Sequence, residues 1–329
     1  MSGLGPQAAS GRQWASIPAQ PAPETPTCRP GHVVVVLVHW HNIADTCACL
    51  RSLSAIQYAS FGVVVVNNAS ADFDRQALHA CFSAVVCIDA GRNLGFTGGN
   101  NLGIREALRR GAEYVLLLNP DTLVEPTLLR ELVSVLQATG PGIAGPVITF
   151  DHDRRRVWFA GGRYSKLIGF SFRERPMAPF AGWRETTWLN GCAMMFHRSV
   201  LAGVGLLREG LFLYCEDLDY CLRARQQGFR CFQLGAALVH HKVSASSGYQ
   251  GRDTLSPLKA YYFARNYMLL VRYHIHDARR ILAVLSQFTL LPWYHVLLAA
   301  QSGDLPKVVR QYARGLWDGL RGVEGPRHG

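Results

Sequence analysis

Four short runs constrain this chain most: His32–Val38 (HVVVVLV), Gly62–Val66 (GVVVV), Ala84–Ile88 (AVVCI) and Glu113–Leu118 (EYVLLL). Their apolar residues are consecutive, not alternating with polar ones. Such runs suit strands covered on both faces, as in a parallel sheet flanked by helices. The stretches between them fit helices. Ala44–Ile56 places Cys47, Leu50, Leu53, Ala55 and Ile56 at helical spacing, and Asn100–Arg110 stops at Gly111, as a helix C-cap would. Strands alternating with helices give βαβ units, so the fold class is α/β with a mainly parallel, Rossmann-like sheet. The first ~120 residues read as a nucleotide-binding half, with ligands expected at the carboxyl ends of the strands.

The pattern then changes. Pro126–Thr139 reads as a helix with Pro at its start, 146–163 as strands and turns, and 164–187 as irregular. Thr187–His197 is strand-like, Glu216–Gln227 is a helix closed by Gly228, and Phe229–His240 is a strand. From Pro257 to about Leu320 the spacing is helical. Residues 1–31 hold six of the sixteen prolines and read as a disordered lead-in. The expected division is 1–31 lead-in, 32–250 α/β domain and 251–329 C-terminal helical region.

Charge narrows the partners. Thirty-four Lys and Arg against 23 acids give +11 over 329 residues, which favours an anionic partner. No helix-turn-helix, zinc-finger or RNP-like pattern supports nucleic acid. Nine cysteines without a C-x-x-C pair argue against a zinc ribbon, and the odd count excludes complete disulfide pairing. Reduced thiols and a cytoplasmic location are expected. Residues 1–31 contain no secretory apolar core. The most apolar stretch, 281–300, is interrupted by Gln287, Pro292 and His295, so no membrane span is expected.

Four motifs sit at strand or helix ends. Asn119-Pro120-Asp121-Thr122 follows the fourth strand, where Asp121 is placed to hold a hard divalent cation; an Asx turn is the plainer reading. Gly91–Asn101 (GRNLGFTGGNN) is a Gly-rich turn whose amides suit a phosphate or sugar. It is neither a Walker loop nor a dinucleotide fingerprint, because that fingerprint belongs after the first strand, which here ends His39-Trp40-His41-Asn42. Glu216-Asp217-Leu218-Asp219 opens a helix, as simple capping or as a general base. His240-His241-Lys242 ends a strand on which His240 continues the apolar face of Phe232, Leu234, Ala236 and Leu238, and His241 projects to the other side.

Taken in order, VVVVLVHWHN, VVVVNNASAD, GRNLGFTGGNNLGIREAL, YVLLLNPDTLVEP, WLNGCAMMFHR, LYCEDLDYCLRARQQGF and VHHKVSASSG resemble family 2 glycosyltransferases of the GT-A fold, in the rhamnosyltransferase-like branch. KAYYFARNYMLLVRYH extends the likeness. The resemblance implies that His39 to Asn42 border the nucleobase and that Asn67, where the family often has Asp, bonds a pyrimidine edge. It implies that Asn93, Gly95, Gly98, Gly99 and Asn100 line the nucleoside and diphosphate. The family's Asp-x-Asp metal motif is here Asn119-Pro120-Asp121, leaving Asp121 as the carboxylate, with His241 as distal metal ligand. Trp188, Asn190 and Gly191 should face the sugar or acceptor. Asp217 matches the catalytic base, with Glu216 beside it.

The implied reaction is an inverting transfer that needs Mg²⁺ or Mn²⁺. The resemblance points to dTDP-L-rhamnose as donor, with UDP-sugars as the alternative, and to a cell-envelope glycan or polyprenyl-linked acceptor from polysaccharide biosynthesis. Arg92 and Arg223 are further candidates near the site, Arg223 reading better as a surface residue. An inactive nucleotide-sugar-binding module is the competing class. The apolar C-terminal helices, flanked by Arg279, Arg280, Lys307 and Arg310, suit either the anionic inner face of the cell membrane or packing on the domain or in a homodimer.

Overall fold

The computed structural model describes residues 27–243, 255–299 and 305–327. The lead-in expected over 1–31 lies mostly outside these, and so does the domain boundary expected at 250. Residues 27–31 are held against the domain, with Arg29 N donating to Gly111 O at 2.9 Å.

The four apolar runs are strands β1 (Val33–His39), β2 (Phe61–Asn67), β3 (Val86–Asp89) and β4 (Tyr114–Leu118). All three pairings among them are parallel, in the order β4-β1-β2-β3. Helices α1 (Ile43–Ser54), α2 (Arg75–Cys81) and α3 (Gly95–Arg109) supply the crossovers. One face of the sheet buries Val34, Val36, Val64 and Val66 with Ile104 of α3, and the other buries Val33, Val35 and Leu37 with Leu50 of α1. That two-sided burial explains the absence of alternation in the sequence.

Beyond β4 come β5 (Thr122–Val124), α4 (Leu128–Thr139), β6 (Gly142–Phe150), β7 (Val157–Phe159), β8 (Gly162–Ser165), β9 (Phe170–Arg173), β10 (Trp183–Thr186), β11 (Ala193–His197), α5 (Arg198–Val204), α6 (Glu216–Gln226) and β12 (Arg230–His241). β11 continues the sheet antiparallel to β4 and β6, and β12 lies parallel to β6. Helices α7 (Pro257–His274), α8 (Arg279–Ala299) and α9 (Leu305–Arg321) form a C-terminal layer. α9 packs closely on α7 because Gly315 and Gly319 face it: a Cβ at either would lie 2.3 Å from Tyr261 O or 2.6 Å from Arg265 O.

Three expectations are corrected. The stretch 164–187 is not irregular throughout: β8 and β9 pair antiparallel, and β10 joins β12. The Gly-rich turn is largely helix, since α3 starts at Gly95. Finally, the even-numbered apolar face does not run on to His240, because the pairing of β12 with β6 shifts between Leu234 and Leu238. His240 instead bonds Thr149 Oγ1 at 2.6 Å and Glu125 Oε1 at 2.8 Å.

Candidate active site

The carboxyl ends of β1 and β4, the start of α3, the loop before β11 and the start of α6 surround one cavity of about 1470 Å³. Of the expected residues, Asn42, Asn93, Gly95, Asn100, Asn119, Asp121, Trp188, Asn190, Gly191, Glu216, Asp217 and His241 line it.

His39, Asn67, Gly98 and Gly99 do not. His39 is fully buried and bonds Thr46 Oγ1 at 2.8 Å and Asp72 Oδ1 at 3.0 Å, so it braces the loop that carries Asn42. Asn67 lies opposite Asp89 in the β2–β3 pairing and donates to it at 2.9 Å, while its Oδ1 caps Ser70 N. Its neighbour Asn68 lines the cavity instead, accepting from Leu94 N at 2.8 Å and donating to Asn93 Oδ1 at 3.1 Å. Gly98 and Gly99 sit within α3. A Cβ on Gly99 would come 2.8 Å from Val38, and one on Gly103 2.2 Å from Val36. Gly99 and Gly103 thus let the helix approach β1 closely.

Asp121 follows β4 through a tight turn in which Thr122 Oγ1 donates to Asn119 O at 2.7 Å. The turn aims Asp121 at His241 at the end of β12, with Oδ1 and Nε2 3.2 Å apart. Burial pushes the Asp121 carboxyl up, but the charge and hydrogen bond of His241, with a backbone hydrogen bond and Lys242, together hold it below its ordinary value. Burial works to lower His241, and Asp121 and Cys192 raise it well above the ordinary histidine value. The Trp158 ring lies 4.8 Å from the imidazole, and His241 Nδ1 has no hydrogen-bond partner. One carboxylate and one imidazole suit a divalent cation that takes its other ligands from diphosphate oxygens and water. No group of three or more His, Cys, Asp or Glu that would hold a metal by itself occurs among the described residues.

Glu216 and Asp217 open α6 after a loop in which Phe212, Tyr214 and Cys215 adopt left-handed backbone conformations. Asp217 Oδ2 accepts from Gly191 N at 2.9 Å, and Oδ1 from Leu218 N at 2.7 Å. Burial raises the Asp217 carboxyl, and these two backbone donors partly counter it. Burial raises Glu216 much further, and the Asp217 charge adds to it. Glu216 Oε2 is buried without a partner. Both carboxyls are raised, Glu216 more than Asp217, so their environments push the two apart, a pattern that suits a general base at Asp217.

Arg92 and Arg223 are not among the lining residues. Arg223 bonds Asp219 Oδ2 and the carbonyls of Val204 and Leu206. The lining cations are Arg173, Arg175, Lys259 and Arg327, which sequence reasoning missed. They come from β9, from just beyond it, and from the C-terminal layer; Lys259 opens the segment KAYYFARNYMLLVRYH, and no local motif marks the three arginines.

A family model described as Glycosyltransferase like family 2 matches residues 30–254. A low-salt glycan biosynthesis hexosyltransferase, Agl10, of Haloferax volcanii is 30% identical over 205 residues, covering 60% of this chain and 63% of its own length. The dTDP-rhamnosyl transferase RfbF of Shigella flexneri is 26% identical over 271 residues, covering 80% and 87%. An N-acetylglucosaminyl-diphospho-decaprenol L-rhamnosyltransferase of Mycobacterium tuberculosis is 26% identical over 238 residues, covering 65% and 76%. Among solved structures, S. aureus TarS 1-349 in complex with UDP-GlcNAc superposes with a TM-score of 0.56 at 16% identity, over 89% of this chain and 81% of that one. GalNAc-T7 with UDP, GalNAc and Mn²⁺ gives 0.58 at 15%, over 73% and 47%. These two likenesses show the GT-A fold.

Proposed function

The chain belongs to glycosyltransferase like family 2, and from that premise we propose that it is an inverting enzyme that moves L-rhamnose from dTDP-L-rhamnose to a hydroxyl of a cell-surface glycan or lipid-linked acceptor. The observation that carries this reading is the meeting of Asp217, held by two backbone donors, with the Asp121–His241 pair in one cavity. The names of the rhamnosyltransferase relatives support the donor.

In this reading Asn42, Asn68, Asn93, Gly95 and Asn100 bind the nucleoside side, and Trp188, Asn190 and Gly191 border the sugar. Asp217 takes the acceptor's hydroxyl proton as that oxygen bonds to C1 of the sugar. The bond from C1 to the diphosphate oxygen breaks on the opposite face, the nucleoside diphosphate leaves with the electron pair, and the configuration inverts. Asp121 and His241 would hold a divalent cation, Mg²⁺ or Mn²⁺, which supplies positive charge to the leaving diphosphate. Burial and the neighbouring Asp217 charge both disfavour a second negative charge on Glu216 beside the donor. A peripheral position on an anionic membrane surface is part of this reading, supported by the exposed apolar side of α8 and the arginines at its start.

Thermal unfolding against a nucleotide panel tests the donor. Stabilisation by dTDP compounds that needs Mn²⁺ and disappears in Asp121→Ala supports the reading. A preference for UDP compounds, which the UDP- and UDP-GlcNAc-bound structural neighbours favour, would replace the rhamnose donor but keep the mechanism. No shift with any nucleotide in folded protein would leave the transferase reading without a donor site.

A further inference from the structure

The cavity has a second wall, apart from the residues assigned above to the donor, built by the C-terminal layer. Leu258, Lys259 and Tyr262 of α7 line it, with Leu290 and Leu291 of α8 and Arg327 of the tail. After α9 the chain turns at Gly322 (φ +75°) and runs back to the cavity. Three hydrogen bonds fix it there. Gly325 N donates to Gly210 O at 2.7 Å, Arg265 Nη1 to Gly325 O at 2.5 Å, and Arg327 N to the Tyr262 hydroxyl at 2.9 Å.

That anchoring holds the Arg327 guanidinium 5.5 Å from the centroid of the Tyr261 ring, with its Nε buried and without a hydrogen-bond partner. A buried guanidinium N–H with no acceptor is costly, and an anionic oxygen in the cavity removes that cost. The Lys259 ammonium, 5.8 Å from the Phe263 centroid, adds a second positive charge on the same wall. Leu258 and Leu290 are about half and nearly two-thirds exposed, so the wall grades from cationic to apolar. At about 1470 Å³ the cavity also exceeds the ~300–1,000 Å³ that one small ligand occupies.

We infer that this wall binds an anionic amphiphile, a lipid phosphate or diphosphate. Arg327 and Lys259 hold its head group, and Leu258, Leu290 and Leu291 receive the start of its apolar chain. The inference rests on the glycosyltransferase reading and gives that enzyme a lipid-linked acceptor. It also makes the C-terminal tail part of the substrate site.

The test is calorimetric titration of the full chain with farnesyl diphosphate, inorganic pyrophosphate, farnesol and, separately, dTDP or UDP with Mn²⁺. Farnesyl diphosphate should bind more tightly than pyrophosphate or farnesol. Arg327→Ala, which keeps the backbone bond to Tyr262, should weaken it roughly tenfold or more while nucleotide affinity stays unchanged. Lys259→Ala should act in the same direction, and Arg327→Lys should restore part of the loss. Equal affinity of wild type and Arg327→Ala for farnesyl diphosphate overturns the inference, as does equal binding of pyrophosphate and farnesyl diphosphate. Failure of the wild type to bind any nucleotide, with farnesyl diphosphate still bound through Arg327, would count against the donor reading and leave the lipid site standing.

Discussion

Glu216 and Asp217 are adjacent in sequence and both buried, yet they meet different surroundings. Asp217 takes two backbone N–H groups, whereas Glu216 leaves Oε2 without a partner. Asp217 therefore ionises first, and the two residues answer to different tests. Asp217→Asn should lower kcat by roughly 10²–10⁴ if it is the base, while Glu216→Gln, which resembles the protonated acid, should keep most of the activity. Because burial raises Asp217, the acidic limb of a kcat/KM profile should lie above the ordinary aspartate value of 3.8. Activity should fall as pH drops through that limb, and Glu216→Gln should leave the limb in place. Stability gives the opposite sign for Glu216. Its folded value lies above its unfolded value near 4.5, so its contribution is intact below about 4.5 and is lost as pH rises. Glu216→Gln should then raise Tm by a few degrees at pH 7–8 and by little near pH 4, in unfolding scans across that range. The sequence revealed this pair because the two acids are contiguous at a helix start. It could not separate Asn67 from Asn68, since the choice depends on Asp89 lying across the β2–β3 pairing.

At the scale of elements, the loop that leads into Glu216 and Asp217 depends on α7. Asn266 Nδ2 donates to the carbonyls of Leu211, Leu213 and Tyr214 at 3.0, 2.9 and 2.7 Å, and Arg265 Nη2 donates to Leu211 O at 2.9 Å. Left-handed conformations at Phe212, Tyr214 and Cys215 are costly for non-glycine residues, so the loop holds its shape only with such support. Asn266→Ala should destabilise the protein by about 1–3 kcal/mol, read from urea unfolding, and should lower kcat well below its melting temperature. The same loop packs on the start of α3. A Cβ on Gly95 (φ +70°) would lie 2.5 Å from both Phe212 Cδ2 and Phe212 O. Gly95→Ala should therefore cost at least as much stability and weaken nucleotide binding, as titration of the variant would report. The strands and helices of the sheet were legible because periodicity is local. The β8–β9 hairpin was not, because Phe170, Ser171 and Gly169 answer to α7 and α8 instead of to a sheet face. Ser171 bonds Tyr267, and Gln287, which looked like an interruption of an apolar stretch, donates to Gly169 O at 3.1 Å.

Across the whole molecule, the C-terminal layer keeps one side apolar after its packing is complete. Ala283 and Gln287 of α8 are buried, but Ile281 and Trp293 are 65% and 73% exposed, and Leu282, Leu285, Phe288 and Leu290 are about half exposed or more. α9 buries Val308, Tyr312 and Leu316 and exposes Val309, Trp317 and Leu320. No helix among the described residues is long and apolar enough to cross a membrane. An exposed apolar side flanked by Arg279, Arg280 and Arg310, on a chain of net charge +11, matches a helix lying in the interface of an anionic bilayer. Leu290 belongs both to this exposed side and to the cavity lining, so a lipid-linked acceptor could pass from bilayer to site without leaving apolar surroundings. Co-sedimentation with vesicles tests this. Binding should be strong to phosphatidylglycerol, weak to phosphatidylcholine, and reduced by salt, because surface charge attraction is screened within about 10 Å at 0.1 M. Leu282→Glu with Leu285→Glu should abolish it without lowering Tm, since both side chains already face solvent. Turnover of a water-soluble acceptor should survive those changes, whereas turnover of a lipid-embedded one should fall with vesicle binding. Equal loss of both would mean that α8 serves the catalytic fold and not the membrane.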